Sequence, residues 1–129
     1  IKKNEIKNNL KYFNTSEFDS PDIKGGGEKM NKDFLTLLDQ ARELAGTPFR
    51  ITSGYRTKEW NLKVGGRVGS SHCKGLAVDI SLPKSSRERF LIINSILSVG
   101  INRIGISFKN GFLHCDVDNS KDGNVIWSY

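Results

Sequence analysis

The sequence predicts an α+β fold: a single domain in which a small antiparallel β-sheet packs against helices. Three observations carry this reading. The chain has 129 residues, with no interdomain linker, internal repeat or low-complexity tract, which suits one compact domain. Two segments space their apolar residues at a helical period. Short alternating segments follow the second of them, two of which are joined by Asn110-Gly111, a strong hairpin signal. Helices first and a hairpin later suggest α+β with an antiparallel sheet.

The elements follow in order. Residues 1–29 read as an irregular N-terminal arm, with Ser20-Pro21-Asp22 and Gly25-Gly26-Gly27 as turns. Leu10, Tyr12, Phe13 and Phe18 are expected to pin this arm to the body. Residues 30–45 read as a helix whose buried stripe is Met30, Phe34, Leu37, Leu38, Ala41 and Leu44, stopped by Gly46 and Pro48. Phe49–Ser53 is a short strand, and Gly54-Tyr55-Arg56-Thr57 turns out of it. Residues 58–64 suit a short helix. The glycine-rich loop Gly65–Ser71 follows; it is not a phosphate loop, because no Gly-Lys-Ser/Thr closes it. Gly75 permits a tight bend into the strand Leu76–Ile80. Ser85-x-x-Glu88 matches a capping box for a helix carrying Phe90, Leu91, Ile93, Ile96 and Leu97. Arg103–Phe108 and Phe112–Val117 form the hairpin strands, and Val125–Trp127 adds an edge strand.

Composition narrows the class. A hydrophobic share of 36% with 26% charged residues describes a globular chain, large enough to bury a core without disulfides. No apolar run approaches the ~20 residues of a membrane span. Ile1-Lys2-Lys3-Asn4-Glu5 leads into no signal-peptide apolar region; either export is not by that route or a leader has been removed. The net charge of +6 suits either solubility alone or contact with polyanions such as anionic cell-wall polymer. The basic residues are scattered rather than clustered, and aromatic residues are not interleaved with them as stacking platforms, so nucleic acid is not the expected partner. A monomer is expected. Cys73 and Cys115 each follow a histidine directly and form no CxxC pair. Two free thiols, a mutual disulfide and metal ligation all remain open, with free thiols the expectation and ligation least favoured.

The only two histidines are His72 and His114. On a strand, successive side chains alternate between faces. Leu76, Val78 and Ile80 therefore share one face, leaving Ala77 and Asp79 on the other. Leu113, Cys115 and Val117 likewise oppose Phe112, His114 and Asp116. If the apolar faces pack on the helices, Asp79 and His114 meet over the open side of the sheet. His72 lies just before the first strand, and Gly75 lets its loop fold back toward the same point. Two imidazoles and one carboxylate are a sound donor set for a catalytic zinc, which commonly keeps one position open for water. Taken alone, such spacing also fits two structural histidines.

The motifs Ser53-Gly54-Tyr55-Arg56, Asn61, Val64-Gly65-Gly66, Ser71-His72-x-x-Gly75-x-Ala77-x-Asp79-Ile80, Arg103-Ile104-Gly105 and Phe112-Leu113-His114-x-Asp116 resemble the zinc D-alanyl-D-alanine carboxypeptidase family. That family shares its fold with lysostaphin-type peptidases and the hedgehog signalling domain. Phe18–Asp22 and Trp127–Tyr129 are similar to small phage and bacterial members of the endolysin type. The resemblance implies that His72, Asp79 and His114 ligate zinc. It implies that Arg56 faces the active site, where a guanidinium would hold the scissile carbonyl oxygen as negative charge develops; a strand-end salt bridge is the plain alternative. Tyr55 belongs to the same motif and is a candidate substrate contact. Ser71 would hydrogen-bond substrate, orient His72 or simply turn the chain. Several relatives place an acid three residues before the third ligand, where this chain has Gly111. Asp116 is then the candidate catalytic base, or else the carboxylate that orients His114. Asp118 is expected in the turn leaving the strand.

The function implied is zinc-dependent hydrolysis of peptidoglycan stem peptides at the bacterial cell wall, by an enzyme released in phage lysis or exported. Removal of a terminal D-alanine and endopeptidase cleavage remain alternatives. So does a zinc-binding module without catalysis, kept open by Gly111.

Overall fold

A computed structural model describes residues 10–129. The start of the expected arm, including Ile1–Glu5, lies outside the described residues. Two 3₁₀ turns, Thr15–Phe18 and Gly26–Lys29, lead into helix α1 (Lys32–Ala45). Strand β1 (Ile51–Ser53), helix α2 (Lys58–Lys63) and a third 3₁₀ turn, Ser71–Lys74, follow. The rest runs as β2 (Ala77–Ser81), α3 (Ser86–Ser98), β3 (Arg103–Ser107), β4 (Phe112–Asp116) and β5 (Val125–Ser128). The class is α+β, and the described residues share one hydrophobic core. No helix among them is long and apolar enough to cross a membrane.

Local chemistry sets the element ends. The Asn31 side chain accepts from the Phe34 N–H at 2.9 Å, so α1 starts at Lys32 and Met30 is buried just ahead of it. The buried stripe of α1 is Phe34, Leu35, Leu38, Ala41 and Ala45. Leu44, expected inside, faces solvent. The Ser85 hydroxyl caps α3 by accepting from Glu88 N–H at 3.3 Å. That helix lies against α1 through Ile92, Ser95 and Ile96, and leaves Phe90 and Leu97 exposed. Phe13 and Phe18 are buried in the core, with Leu10 and Tyr12 packed against it. The Asp39 carboxylate accepts from the backbone N–H groups of Lys11 and Tyr12, each at 2.9 Å, tying this segment to α1.

The sheet order is β1-β2-β4-β3-β5. The first three pairings are antiparallel, as expected, but β5 runs parallel to β3 and makes the sheet mixed. The physical reason is connectivity: the loop from β4 carries the chain back past the start of β3 before β5 begins, as the Val125 N–H to Asn102 carbonyl bond (3.1 Å) shows. Val78, Ile80, Ile104, Leu113 and Cys115 fill the core face. The opposite face holds a row of register partners across four strands: Asp79, His114, Gly105 and Trp127. The next row holds Ala77, Asp116, Arg103 and Val125. These two rows floor the candidate site.

Candidate active site

His72, Asp79 and His114 converge. One ligand atom from each lies within 4.8 Å of the other two. Asp79 Oδ1 is 3.3 Å from His72 Nε2 and 3.1 Å from His114 Nδ1. A tetrahedral ion with bonds of about 2.0–2.1 Å sets its ligands about 3.3 Å apart, so these residues fit a divalent metal. The other ring nitrogens are already held. His72 Nδ1 faces the Gly54 carbonyl at 2.8 Å, and His114 Nε2 faces Asp116 Oδ2 at 2.6 Å. Each partner can accept an N–H, so a metal on the Asp79 side would take the lone pair of the other ring nitrogen while the proton stays on the nitrogen facing its acceptor.

The strands explain the convergence. Asp79 and His114 are direct cross-strand partners, and His72 comes from the 3₁₀ turn that ends at Gly75 (φ 71°). Burial works to raise the Asp79 pKa, but His114 and His72 overcome it and hold the carboxyl well below the usual range. Burial works to lower the His114 pKa, but Asp116 and Asp79 outweigh it and raise it. Asp116 is 1% exposed, and both its oxygens are in use. Oδ2 accepts from His114, while Oδ1 accepts from Arg103 Nε at 2.8 Å and the Asp118 N–H at 3.0 Å. Burial pushes its pKa up, yet the His114 hydrogen bond, the Asp118 amide and the Arg103 charge bring it below the ordinary value.

Arg56 stands at the edge of this centre. Its Nη2 is 3.4 Å from Asp79 Oδ2, while Nε donates to Ser53 Oγ (3.1 Å) and Nη1 to Asn61 Oδ1 (3.2 Å). It thus lines the cleft and pairs with Asp79 at once. Ser71 is buried and donates to Asp118 Oδ2 at 2.7 Å, while its hydroxyl accepts from Lys121 Nζ at 2.8 Å. Tyr55 does not line the cleft: its ring lies against Gly26 and beneath the Lys29 ammonium. The Tyr55 backbone N–H bonds to the Phe18 carbonyl, which turns this part of the motif toward the N-terminal segment. Cys73 and Cys115 are free thiols, and neither joins the His-Asp-His group. Cys115 lies on the core face, where burial pushes its pKa far up.

The structure adds residues to which the sequence assigned no role in the site. The cleft has a volume of about 1060 Å³, and its lining includes Arg67, Arg103, Lys121, Trp127 and Tyr129. The Trp127 ring is 5.5 Å from that of His114, and Arg103 stacks on the indole at 5.1 Å. Only glycine permits this at position 105, because a Cβ there would lie 2.5 Å from the indole. Gly105→Ala is expected to cost about 1–3 kcal/mol through this overlap, read as a lower urea midpoint at unchanged slope. A wild-type midpoint would show that the indole does not rest on Gly105. Asp118 opens the turn that leaves β4, as expected, and is buried there, receiving Ser71, Lys74 and Ser120. It clasps the end of β4 to the turn bearing His72. The period-2 signal for these contacts was present, but nothing local placed β5 beside β3.

No curated protein matches the chain. A family model described as Peptidase M15 matches residues 2–116, a span that contains His72, Asp79 and His114 and most of the sheet. The chain belongs to the Peptidase M15 family of metallopeptidases.

Proposed function

We propose that this protein is a zinc-dependent peptidase acting on peptidoglycan stem peptides at the bacterial cell wall, as a D-alanyl-D-alanine carboxypeptidase or a related endopeptidase. The observation that carries the reading is the convergence of His72, Asp79 and His114, with each imidazole fixed from behind by an acceptor. Zinc held by these three residues supplies Lewis acidity and a nucleophile at neutral pH.

The chain's own groups do the rest. Gly54 and Asp116 set the tautomers and ring planes of the two histidines. Arg56, braced by Ser53 and Asn61, presents a guanidinium beside the centre, where it stabilises negative charge developing on the scissile carbonyl oxygen. Trp127 walls one side and excludes water from His114. Asp116 acts here as a positioning residue, because both its oxygens already accept and its pKa is shifted away from neutrality. Ser71 serves the Asp118 clasp rather than the substrate. The positive net charge favours an anionic wall, an attraction that added salt should weaken.

The test is incubation of the zinc-loaded protein with defined muropeptides, with and without chelator, followed by mass spectrometry. Loss of one alanine identifies a carboxypeptidase; a split stem or crosslink identifies an endopeptidase. Cleavage that persists in chelator removes the zinc mechanism. One observation favours a second reading, a zinc-binding module without turnover. Asp79 and Asp116 are the only carboxylates among the described residues lining the cleft, and each is already engaged. Stoichiometric zinc with no cleavage of any muropeptide would establish that reading instead.

A further inference from the structure

The cleft is lined by four cationic side chains besides the histidines: Arg56, Arg67, Arg103 and Lys121. Three of them are committed. Arg56 is held by Ser53, Asn61 and Asp79. Arg103 is held by Asp116 and the Asp122 carbonyl. Lys121 donates to Ser71 Oγ and to the Gly69 carbonyl (3.2 Å), with Asp118 at 3.6 Å. Of these four, only Arg67 has a side chain without a hydrogen-bonding or acidic partner among the described residues. The carboxylates of this region, Asp79, Asp116 and Asp118, each already have a cation. Arg67 is therefore the uncompensated positive charge of the cleft.

Its backbone is not loose. The Arg67 carbonyl accepts from Asn61 Nδ2 at 2.9 Å and from the Ser70 N–H at 3.1 Å. The Gly66 N–H donates to the Asn61 carbonyl at 2.8 Å. A Cβ at Gly66 would lie 1.9 Å from Asn61 Oδ1, so this close approach requires glycine. Asn61, only 4% exposed, is the same residue that accepts from Arg56 Nη1. One buried side chain thus mounts both arginines, one beside the metal ligands and one farther along the glycine loop. A cation on an anchored backbone loses less freedom on binding than one on a mobile loop. A guanidinium matches a carboxylate with two parallel hydrogen bonds.

We propose that Arg67 receives a carboxylate of the substrate near the scissile bond and so sets which peptides are cut. This rests on the peptidase reading above. The carboxylate has two sources in a stem peptide: the chain terminus, or a free carboxylate within the chain. The amide nitrogen of a neutralised analogue offers no acceptor in place of the lost oxygen, so the site discriminates between acid and amide.

The experiment uses the zinc-loaded full chain and two matched peptide pairs. One pair ends in a free carboxylate or a carboxamide; the other carries an internal glutamate-type carboxylate or its amide. Wild type is expected to favour the acid of one pair in kcat/KM by about tenfold, the scale of a charge-assisted bond weakened by solvent. The preference should reside mainly in KM. Arg67→Gln should erase it, and Arg67→Lys should restore part of it. Loss confined to the first pair assigns the terminal carboxylate, and loss confined to the second assigns the internal one. If wild type cuts acids and amides equally, or if Arg67→Gln keeps the preference, the Arg67 inference is overturned while the peptidase reading stands. If wild type cuts none of the four, the peptidase reading fails and takes the inference with it.

Discussion

His72→Ala is expected to lose its zinc and its hydrolytic activity together. His72 is 3% exposed, and its ring is clamped between the Gly54 carbonyl and Asp79 Oδ1. Its removal leaves two protein ligands, one short of the set that catalytic zinc commonly takes. Metal content should fall from one ion per chain to almost none, and kcat/KM by at least about 10³-fold, since both Lewis acidity and the nucleophile go with the ion. The fold should survive, because the core lies on the other face of β2. Metal analysis beside far-ultraviolet circular dichroism checks this. A folded variant that keeps one tightly bound zinc would remove His72 from the ligand set.

Asp116→Asn separates a positioning carboxylate from a catalytic base. In the native protein Asp116 Oδ2 accepts the proton of His114 Nε2. An asparagine that keeps its oxygen toward Arg103 must turn its NH₂ toward that ring. Two donors then face each other. His114 relieves this by moving its proton to Nδ1, the nitrogen directed at Asp79, and a protonated nitrogen cannot ligate a metal. Zinc affinity should therefore drop about 10–100-fold, and turnover should largely return when zinc is supplied in excess. A base would behave otherwise: zinc would stay bound and turnover would vanish at every zinc concentration. Brønsted reasoning also speaks against the base, since an efficient base has a pKa near the working pH and that of Asp116 is shifted down. Titrating activity against zinc for both proteins decides between them; a dead, zinc-replete Asp116→Asn enzyme would overturn the positioning role.

Much of the site was legible because its information is local. The alternation Leu76-Ala77-Val78-Asp79-Ile80 and its counterpart in Phe112–Val117 put Asp79, His114 and Asp116 on one face, and the structure pairs Asp79 with His114 directly. Caps were legible for the same reason: Ser85 and its helix lie within one turn of each other. Legibility failed where a side chain's environment comes from distant segments. Tyr55 and Arg56 are adjacent in one motif, yet the Phe18 carbonyl takes the Tyr55 amide and turns that ring toward Gly26. Leu44 and Phe90 fit their helical stripes but face solvent, whereas Leu35, Ala45 and Ile92 are buried, because which part of a stripe is covered depends on the elements packed against it.

By itself the sequence determined the element types, the apolar and polar faces of each strand, and the residue kinds able to hold a metal, because periodicity and capping act over a few residues. The tertiary structure decided the order of the strands, the parallel placement of β5 that brings Trp127 over Gly105 to His114, and the commitment of Asp116 to Arg103 and His114. Those depend on which strand edge is free once the core face is buried. That is a property of the packed sheet as a whole, and no window of adjacent residues contains it.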